Sequence, residues 1–180
     1  KILFKHQNIK ETITFKELYE LTKIKLVLTG TNITKSKLEY FNYKTTPDME
    51  VILAIRISTC IPLYVIPIRY NNNLYIDGGL LTNIPIQYVK KKDYKKTLVL
   101  LNYRKNEYLD IDKSIINYLI TVYDMIRRVN INDPELFILK MNPALSGGDF
   151  DTTDEKRKEC FEYGTKETLK YIAENMLEYL

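Results

Sequence analysis

The spacing of apolar and polar positions changes along the chain, and each change marks an element. Thr14-Phe15-Lys16-Glu17 has the spacing of a capping box, in which the Thr14 hydroxyl accepts from the backbone and Glu17 reaches back. It predicts a helix over about 15–22 with Phe15, Leu18, Tyr19 and Leu21 facing inward. Ile24 to Leu28 is an apolar, β-branched run that reads as a buried strand, closed by Thr29-Gly30-Thr31-Asn32. Leu38 to Tyr43 reads as a second, weaker strand. Thr46-Pro47-Asp48 is a helix start, with Thr at the cap, Pro at the first helical position and Asp against the positive end of the dipole. The helix it opens, over about 47–58, is apolar on nearly every side, which predicts burial of most faces.

Tyr64 to Tyr70 and Leu74 to Asp77 flank the turn-rich Asn71-Asn72-Asn73 and read as a hairpin, with Pro67 marking the first arm as an edge or irregular strand. The second arm runs into Tyr75-Ile76-Asp77-Gly78-Gly79-Leu80-Leu81-Thr82-Asn83-Ile84-Pro85. Here a short apolar run ends in a carboxylate and two glycines follow at once. The pattern predicts Asp77 at a strand end, its carboxylate exposed in a cleft, with φ > 0 at Gly78 or Gly79. The plainer alternative is a turn, because Asp-Gly is the commonest hairpin chemistry.

Pro85 opens a short helix that ends in the basic connector Lys90 to Lys96. That connector is either a solvated loop or a contact for anionic lipid heads, worth roughly 1 kcal/mol per cation near such a surface. Thr97 to Leu101 reads as a buried strand. Asp112 caps a helix over about 113–129, in which Ile115, Ile116, Leu119, Tyr123, Ile126 and Val129 recur at helical spacing as a core stripe. Leu136 to Met141 reads as the last strand, and 142–150 as a loop containing Gly147-Gly148. Asp151-Thr152-Thr153 caps a long helix with Phe161, Leu169, Ile172, Met176 and Leu180 on one side, which Gly164 kinks or divides. Strands alternating with helices imply a three-layer α/β domain.

Composition narrows the function without naming it. The chain of 180 residues reads as one domain, 1–180, and a net charge of +4 makes no case for nucleic acid. Two cysteines, Cys60 and Cys160, make neither a disulfide framework nor a metal cluster, and no cofactor motif is present. No apolar run approaches the ~20 residues of a membrane span. A first residue of Lys rather than Met fits a fragment or a processed product, with any targeting segment upstream. The only histidine is His6, which argues against a Ser-His-Asp relay within this sequence.

The four serines are Ser36, Ser58, Ser114 and Ser146, and none stands in G-x-S-x-G, the strained elbow that exposes a nucleophilic hydroxyl. Ser58 reads as a hydrogen-bonding residue at a helix end, and Ser146 has glycines on one side only. Gly147-Gly148 is too short a pattern for a phosphate loop. The chain thus offers a candidate base, Asp77, without an evident nucleophile.

Five segments in order resemble the C-terminal two-thirds of a patatin-like phospholipase domain. They are Thr14-Phe15-x-Glu17-Leu18; Leu26-Val27-Leu28 leading to Thr31-Asn32; Thr46-Pro47-Asp48; Val51-x-x-Ala54-x-Arg56-x-Ser58-x-x-Ile61-Pro62; and Tyr75-Ile76-Asp77-Gly78-Gly79-Leu80-x-x-Asn83-x-Pro85. Phe150 and the Thr-capped helix to Gly164 resemble the end of that domain, so the resemblance covers most of 12–165. It implies a three-layer α/β sandwich with a central, mainly parallel sheet, incomplete at its N-terminus. It also implies that Asp77 is the general base of a Ser-Asp dyad, with Gly78 and Gly79 completing the motif, and that no cofactor or metal takes part. The family's glycine-rich oxyanion loop and serine elbow lie before the matched region. The implied activity is hydrolysis of phospholipid or other acyl-lipid esters, in a cytoplasmic or membrane-peripheral setting, by the complete protein rather than by this segment alone. Two alternatives stand beside it: a truncated, non-catalytic lipid-binding or interaction module of the same fold, and an unrelated α/β domain in which Asp-Gly-Gly is only a turn.

Overall fold

Two short connections dictate the topology of the sheet that carries Asp77. Strands β1 (Val27–Asn32) and β2 (Lys37–Asn42) are separated by four residues, and β3 (Ile68–Tyr70) and β4 (Asn73–Asp77) by two. Parallel neighbours need a crossover of a dozen residues or more, so connections this short enforce antiparallel pairing. In the β3–β4 turn Asn71 and Asn72 have φ of 44° and 60°. Two successive positive values are what a type I′ hairpin turn demands, and Asn tolerates them.

The structure is a computed structural model that describes residues 10–102, 114–126, 133–141 and 152–175. The chain divides into two compact units, Lys1–Ile86 with Ile111–Asn130, and Gln87–Asp110 with Ile131–Leu180. In the first unit the four strands form one sheet in the order β2-β1-β4-β3, antiparallel at every pairing. This is a mixed α/β protein, but the sheet holding Asp77 is not the mainly parallel one expected. Parallel pairing among the described residues is confined to β5 (Leu98–Asn102) and β6 (Phe137–Met141) in the second unit.

Helix α1 (Phe15–Thr22) starts on the expected capping box, with Thr14 Oγ1 accepting from the Glu17 amide and Glu17 Oε2 accepting from the Thr14 amide at 2.9 Å. Phe15 is buried, whereas Leu21, expected inside, is 65% exposed. Strand β1 begins three residues later than the apolar run and continues through Thr29 to Asn32, the stretch expected to close it; Ile24 lies outside the strand and exposed. Gly30 sits mid-strand because a Cβ there would lie 2.6 Å from Ile57 Cγ2 and 2.7 Å from Phe41 Cε2. Its absence lets helix α2 (Val51–Ser58) settle on the sheet.

That helix starts at Val51 rather than 47. The carbonyls of Pro47 and Met49 accept from the amides of Lys16 and Phe15 at 3.0 and 3.1 Å, and the Val51 amide donates to Ile13 at 2.9 Å. Pairing with Ile13 and the first residues of α1 therefore replaces the first helical turn. α2 buries Val51, Ala54 and Ile57 on one face and leaves Ile55 and Arg56 exposed, so burial on most faces is not observed. The core of this unit joins that face to Ile13, Phe15, Phe41, Met49 and Tyr75. Each such large apolar side chain contributes roughly 1.5–3 kcal/mol by leaving water. Helix α3 (Ile115–Ile126) belongs to the same unit. Its expected core stripe is only partly buried, with Tyr123 inside but Ile115 and Leu119 exposed.

In the second unit the basic connector is a 3-10 turn, Lys91–Lys96, which buries Tyr94 and keeps its lysines exposed. β5 buries Val99 and Leu101 but exposes Leu98 and Leu100, a half-buried rather than a fully buried strand. Helix α4 (Asp154–Asn175) is capped by Thr153, whose hydroxyl accepts from the Lys156 amide at 3.3 Å, and it runs through Gly164 without a break. Phe161 and Leu169, expected on its inner side, are exposed. Asp112, the 142–150 loop with Ser146, Gly147, Gly148 and Phe150, and the positions Val129, Met176 and Leu180 lie outside the described residues.

Candidate active site at the end of strand β4

Asp77 is the last residue of β4, as the apolar run ending in a carboxylate predicts. Its main chain is held from both sides. The amide donates to the Cys60 carbonyl at 2.9 Å, and the carbonyl accepts from the Thr31 hydroxyl at 2.9 Å. On β1, Gly30 stands opposite it in the ladder. The side chain is half-buried; Oδ1 accepts from the Gly79 amide at 2.8 Å and so caps the 3-10 turn Gly78–Leu80.

The glycines serve a different purpose from the one expected. Neither has a positive φ. A Cβ on Gly78 would lie 2.3 Å from Thr29 Oγ1, 2.6 Å from Thr29 Cβ and 2.7 Å from the Thr29 carbonyl carbon. Gly78 is there because the turn presses directly on β1. A Cβ on Gly79 would sit 3.3 Å from Asp77 Oδ1 and 3.5 Å from Asn83 Oδ1. Gly79 thus leaves room for the Asp77 carboxylate.

One partner of the carboxylate was not read as a site residue from the sequence. Tyr123 of α3 is buried, and its hydroxyl lies 3.4 Å from Asp77 Oδ2, a long hydrogen bond. A signal was available: a tyrosine on an otherwise aliphatic stripe needs a polar partner once its ring is buried. The same geometry leaves Oδ2 with a weaker contact than Oδ1, so Oδ2 is the oxygen better placed to accept another hydroxyl. No salt bridge reaches Asp77 among the described residues.

Candidate nucleophiles in the described residues do not meet this carboxylate. Ser36 lies in the β1–β2 turn with φ of 50°, and Ser58 ends α2; neither hydrogen-bonds to Asp77. Ser114 immediately precedes α3, where its carbonyl accepts from the Tyr118 amide. Cys60 is adjacent to Asp77 through the backbone, but its thiol is fully buried and donates toward the Ile66 carbonyl at 3.4 Å. Burial, and secondarily the Asp77 charge, push that thiol above its ordinary pKa and keep it protonated. Among the described residues no group of three His, Cys, Asp or Glu side chains could hold a metal ion.

Residues 2–90 match the Patatin-like phospholipase family. Over 106 residues the chain is 44% identical to "Probable lipid hydrolase 463L" of Invertebrate iridescent virus 6, a match covering 53% of this chain and 37% of that protein. Over 82 residues it is 30% identical to "Uncharacterized protein R571" of Acanthamoeba polyphaga mimivirus, covering 46% and 27%. Among solved structures it resembles VipD from Legionella pneumophila, with a TM-score of 0.63 over 90% of this chain and 35% of that one. At 17% identity the latter shows similarity of fold alone. The chain spans little more than a third of the viral lipid hydrolase. The matched residues 2–90 take in the whole stretch from Asp77 to Pro85, and over them the chain is similar to the patatin-like phospholipase family.

Proposed function

We propose that the complete protein is a lipid acyl hydrolase that cleaves phospholipid or other acyl-lipid esters with a Ser-Asp dyad, and that Asp77 is its general base. The observation that carries the reading is the clamped strand-end position of Asp77, with one carboxylate oxygen fixed by Gly79 and the other in only a long contact. On this reading Asp77 Oδ2 takes the proton as a serine oxygen attacks the ester carbonyl. The alcohol leaves with that proton, and water then cleaves the acyl-enzyme with Asp77 again as base. A carboxylate with a reference pKa near ~3.9 is a weak base for a hydroxyl, so the step needs hydrogen-bond distance and a separate oxyanion stabiliser.

The serine and the oxyanion donors are assigned to sequence outside these 180 residues. The same outside segment would complete a central, mainly parallel sheet. The isolated segment is accordingly expected to be inactive. The test is Asp77→Asn in the intact protein, assayed on a lipid ester. The change is nearly isosteric, so folding should be kept while turnover falls by ~10²–10⁴, the usual share of a general base. Unchanged turnover would remove Asp77 from the reaction. Vesicle binding with no esterase activity in either form would instead identify a non-catalytic lipid-binding member of the family.

A further inference from the structure

Between α2 and β3, the stretch Leu63–Ile66 has no role in the site described above, and its character is unusual. Leu63, Tyr64, Val65 and Ile66 are consecutive and 60%, 55%, 48% and 85% exposed. Four neighbouring apolar side chains held in water form a patch rather than scattered surface residues. Leu63 has φ of 72°, a left-handed conformation that a bulky side chain adopts only when its surroundings impose it. The imposition is visible. The amides of Tyr64 and Val65 both donate to the Ile61 carbonyl, at 3.2 and 3.1 Å, and the Cys60 thiol points at the Ile66 carbonyl. Pro62 and Pro67 have no amide hydrogen to satisfy. Two of the four amides of the turn are thus already bonded, which lowers the cost of leaving water.

Charge identifies the surface it suits. From Val51 to Ile76 the sequence contains two charged residues, Arg56 and Arg69, both exposed, and no acid. An apolar tip whose charged neighbours between Glu50 and Asp77 are both cations complements a bilayer with anionic headgroups. We propose that the Leu63–Ile66 turn inserts into the surface of an anionic phospholipid bilayer and so sets Asp77 at the lipid interface. The coupling is direct, since the Cys60 carbonyl at the base of the turn accepts the Asp77 amide. This rests on the proposed acyl-lipid substrate but is tested without it.

These 180 residues contain no tryptophan, so the signal of Ile66→Trp is read as the difference in emission from the unmodified protein. In the intact protein its emission is expected to be water-like in buffer. It should shift to the blue with vesicles of phosphatidylcholine and phosphatidylglycerol, and be quenched by brominated acyl chains. Ile24→Trp, exposed elsewhere in the same unit, should stay water-like. Ile66→Asp should weaken vesicle partitioning about tenfold, the loss of one buried large aliphatic side chain. It should leave hydrolysis of a water-soluble short-chain ester unchanged. Three results would overturn the proposal: an Ile66→Trp emission that ignores the vesicles, one already blue in buffer because protein covers the turn, or partitioning unaffected by Ile66→Asp. Absence of ester hydrolysis in the unmodified protein would count against the enzymatic reading and leave the fluorescence result standing.

Discussion

Replacing Gly78 by Ala tests whether the Asp77 bend is built by close packing or by backbone freedom. Because Gly78 does not use a positive φ, alanine is conformationally acceptable. By chain entropy alone it would stabilise the protein by about 0.4–1 kcal/mol. The packing argument has the opposite sign. The new Cβ would begin 2.3 Å from Thr29 Oγ1 and 2.7 Å from the Thr29 carbonyl carbon, against an ordinary contact of 3.4 Å or more. About 1 Å of movement is needed to relieve it. Thr29 cannot retreat freely, since β1 is paired with β2 along all of its length. Overpacking of this kind costs about 1–3 kcal/mol. The net loss of roughly 1–2 kcal/mol should lower Tm by about 2–8 °C for a chain of this size. In the intact protein a shift of that scale at Asp77 should also reduce kcat by about a hundredfold. Thr29→Ala in the same chain should restore only part of the stability, because the Thr29 Cβ stays 2.6 Å away. Gly79→Ala is the contrasting variant, since its Cβ meets chiefly the Asp77 carboxylate, at 3.3 Å. It should spare Tm and lower turnover by re-aiming that side chain. Thermal unfolding by circular dichroism, beside ester turnover, reads both effects. A Gly78→Ala protein that melts at or above the parent temperature would refute the packing account.

Two further predictions concern ionisable groups away from the candidate site. Burial, then the hydrogen bond to Glu39, push the Tyr75 phenol up to about 12, so its contribution to stability is complete below about pH 10 and is lost as pH rises from there toward 12. Burial pushes the Glu39 carboxyl up, but hydrogen bonds from Tyr75, Lys37 and Asn32 together outweigh it and hold the group below its ordinary value. Its contribution is therefore present above the ordinary carboxylate range and lost as pH falls through the lowered value. Tyr75→Phe should flatten the alkaline limb of a Tm-against-pH profile and Glu39→Gln the acid limb; limbs identical to the parent would contradict the assignment. The exposed lysines of the 3-10 turn Lys91–Lys96 should support binding to anionic vesicles, so Lys91→Glu with Lys95→Glu should reduce co-sedimentation, as should added salt, and equal binding would exclude that role.

What the sequence disclosed depends on the range over which each feature is decided. The α1 capping box and the Asn71-Asn72 turn are settled within four residues and were legible. The start of α2 was not. Thr46-Pro47-Asp48 is a sound helix signal, but carbonyls 47 and 49 found partners at Lys16 and Phe15, some thirty residues upstream. Likewise Thr29-Gly30-Thr31-Asn32 has turn composition and lies in a strand, because Gly30 answers to Ile57 and Phe41 rather than to its own backbone. The antiparallel order of the sheet was in fact accessible from loop length. Four residues between β1 and β2 exclude a parallel pair, and that constraint outranks the general alternation of strands and helices.

The candidate site divides along the same line. Asp77 at a strand end follows from a local pattern and could be named from it. Everything that fixes Asp77 in place, apart from Gly79, comes from a distance: Thr31 on β1 and Cys60 after α2 hold its main chain, and Tyr123 on α3 reaches its carboxylate. No periodicity spans those separations, so the reason for the glycines was misassigned even though the motif was found. The positive φ expected of an Asp-Gly-Gly turn is a property of isolated turns. In this fold the bend is pressed against Thr29, and a residue with no side chain is required for space. A turn needed only for its backbone geometry would tolerate an asparagine at Gly78, as the hairpin tolerates Asn71 and Asn72. A turn wedged against a fully paired strand accepts a Cβ only at a cost in packing. The wedge also supplies the fixed geometry that the proposed role of Asp77 as general base demands: the rigidity of this half-buried aspartate comes from β1, not from the turn itself.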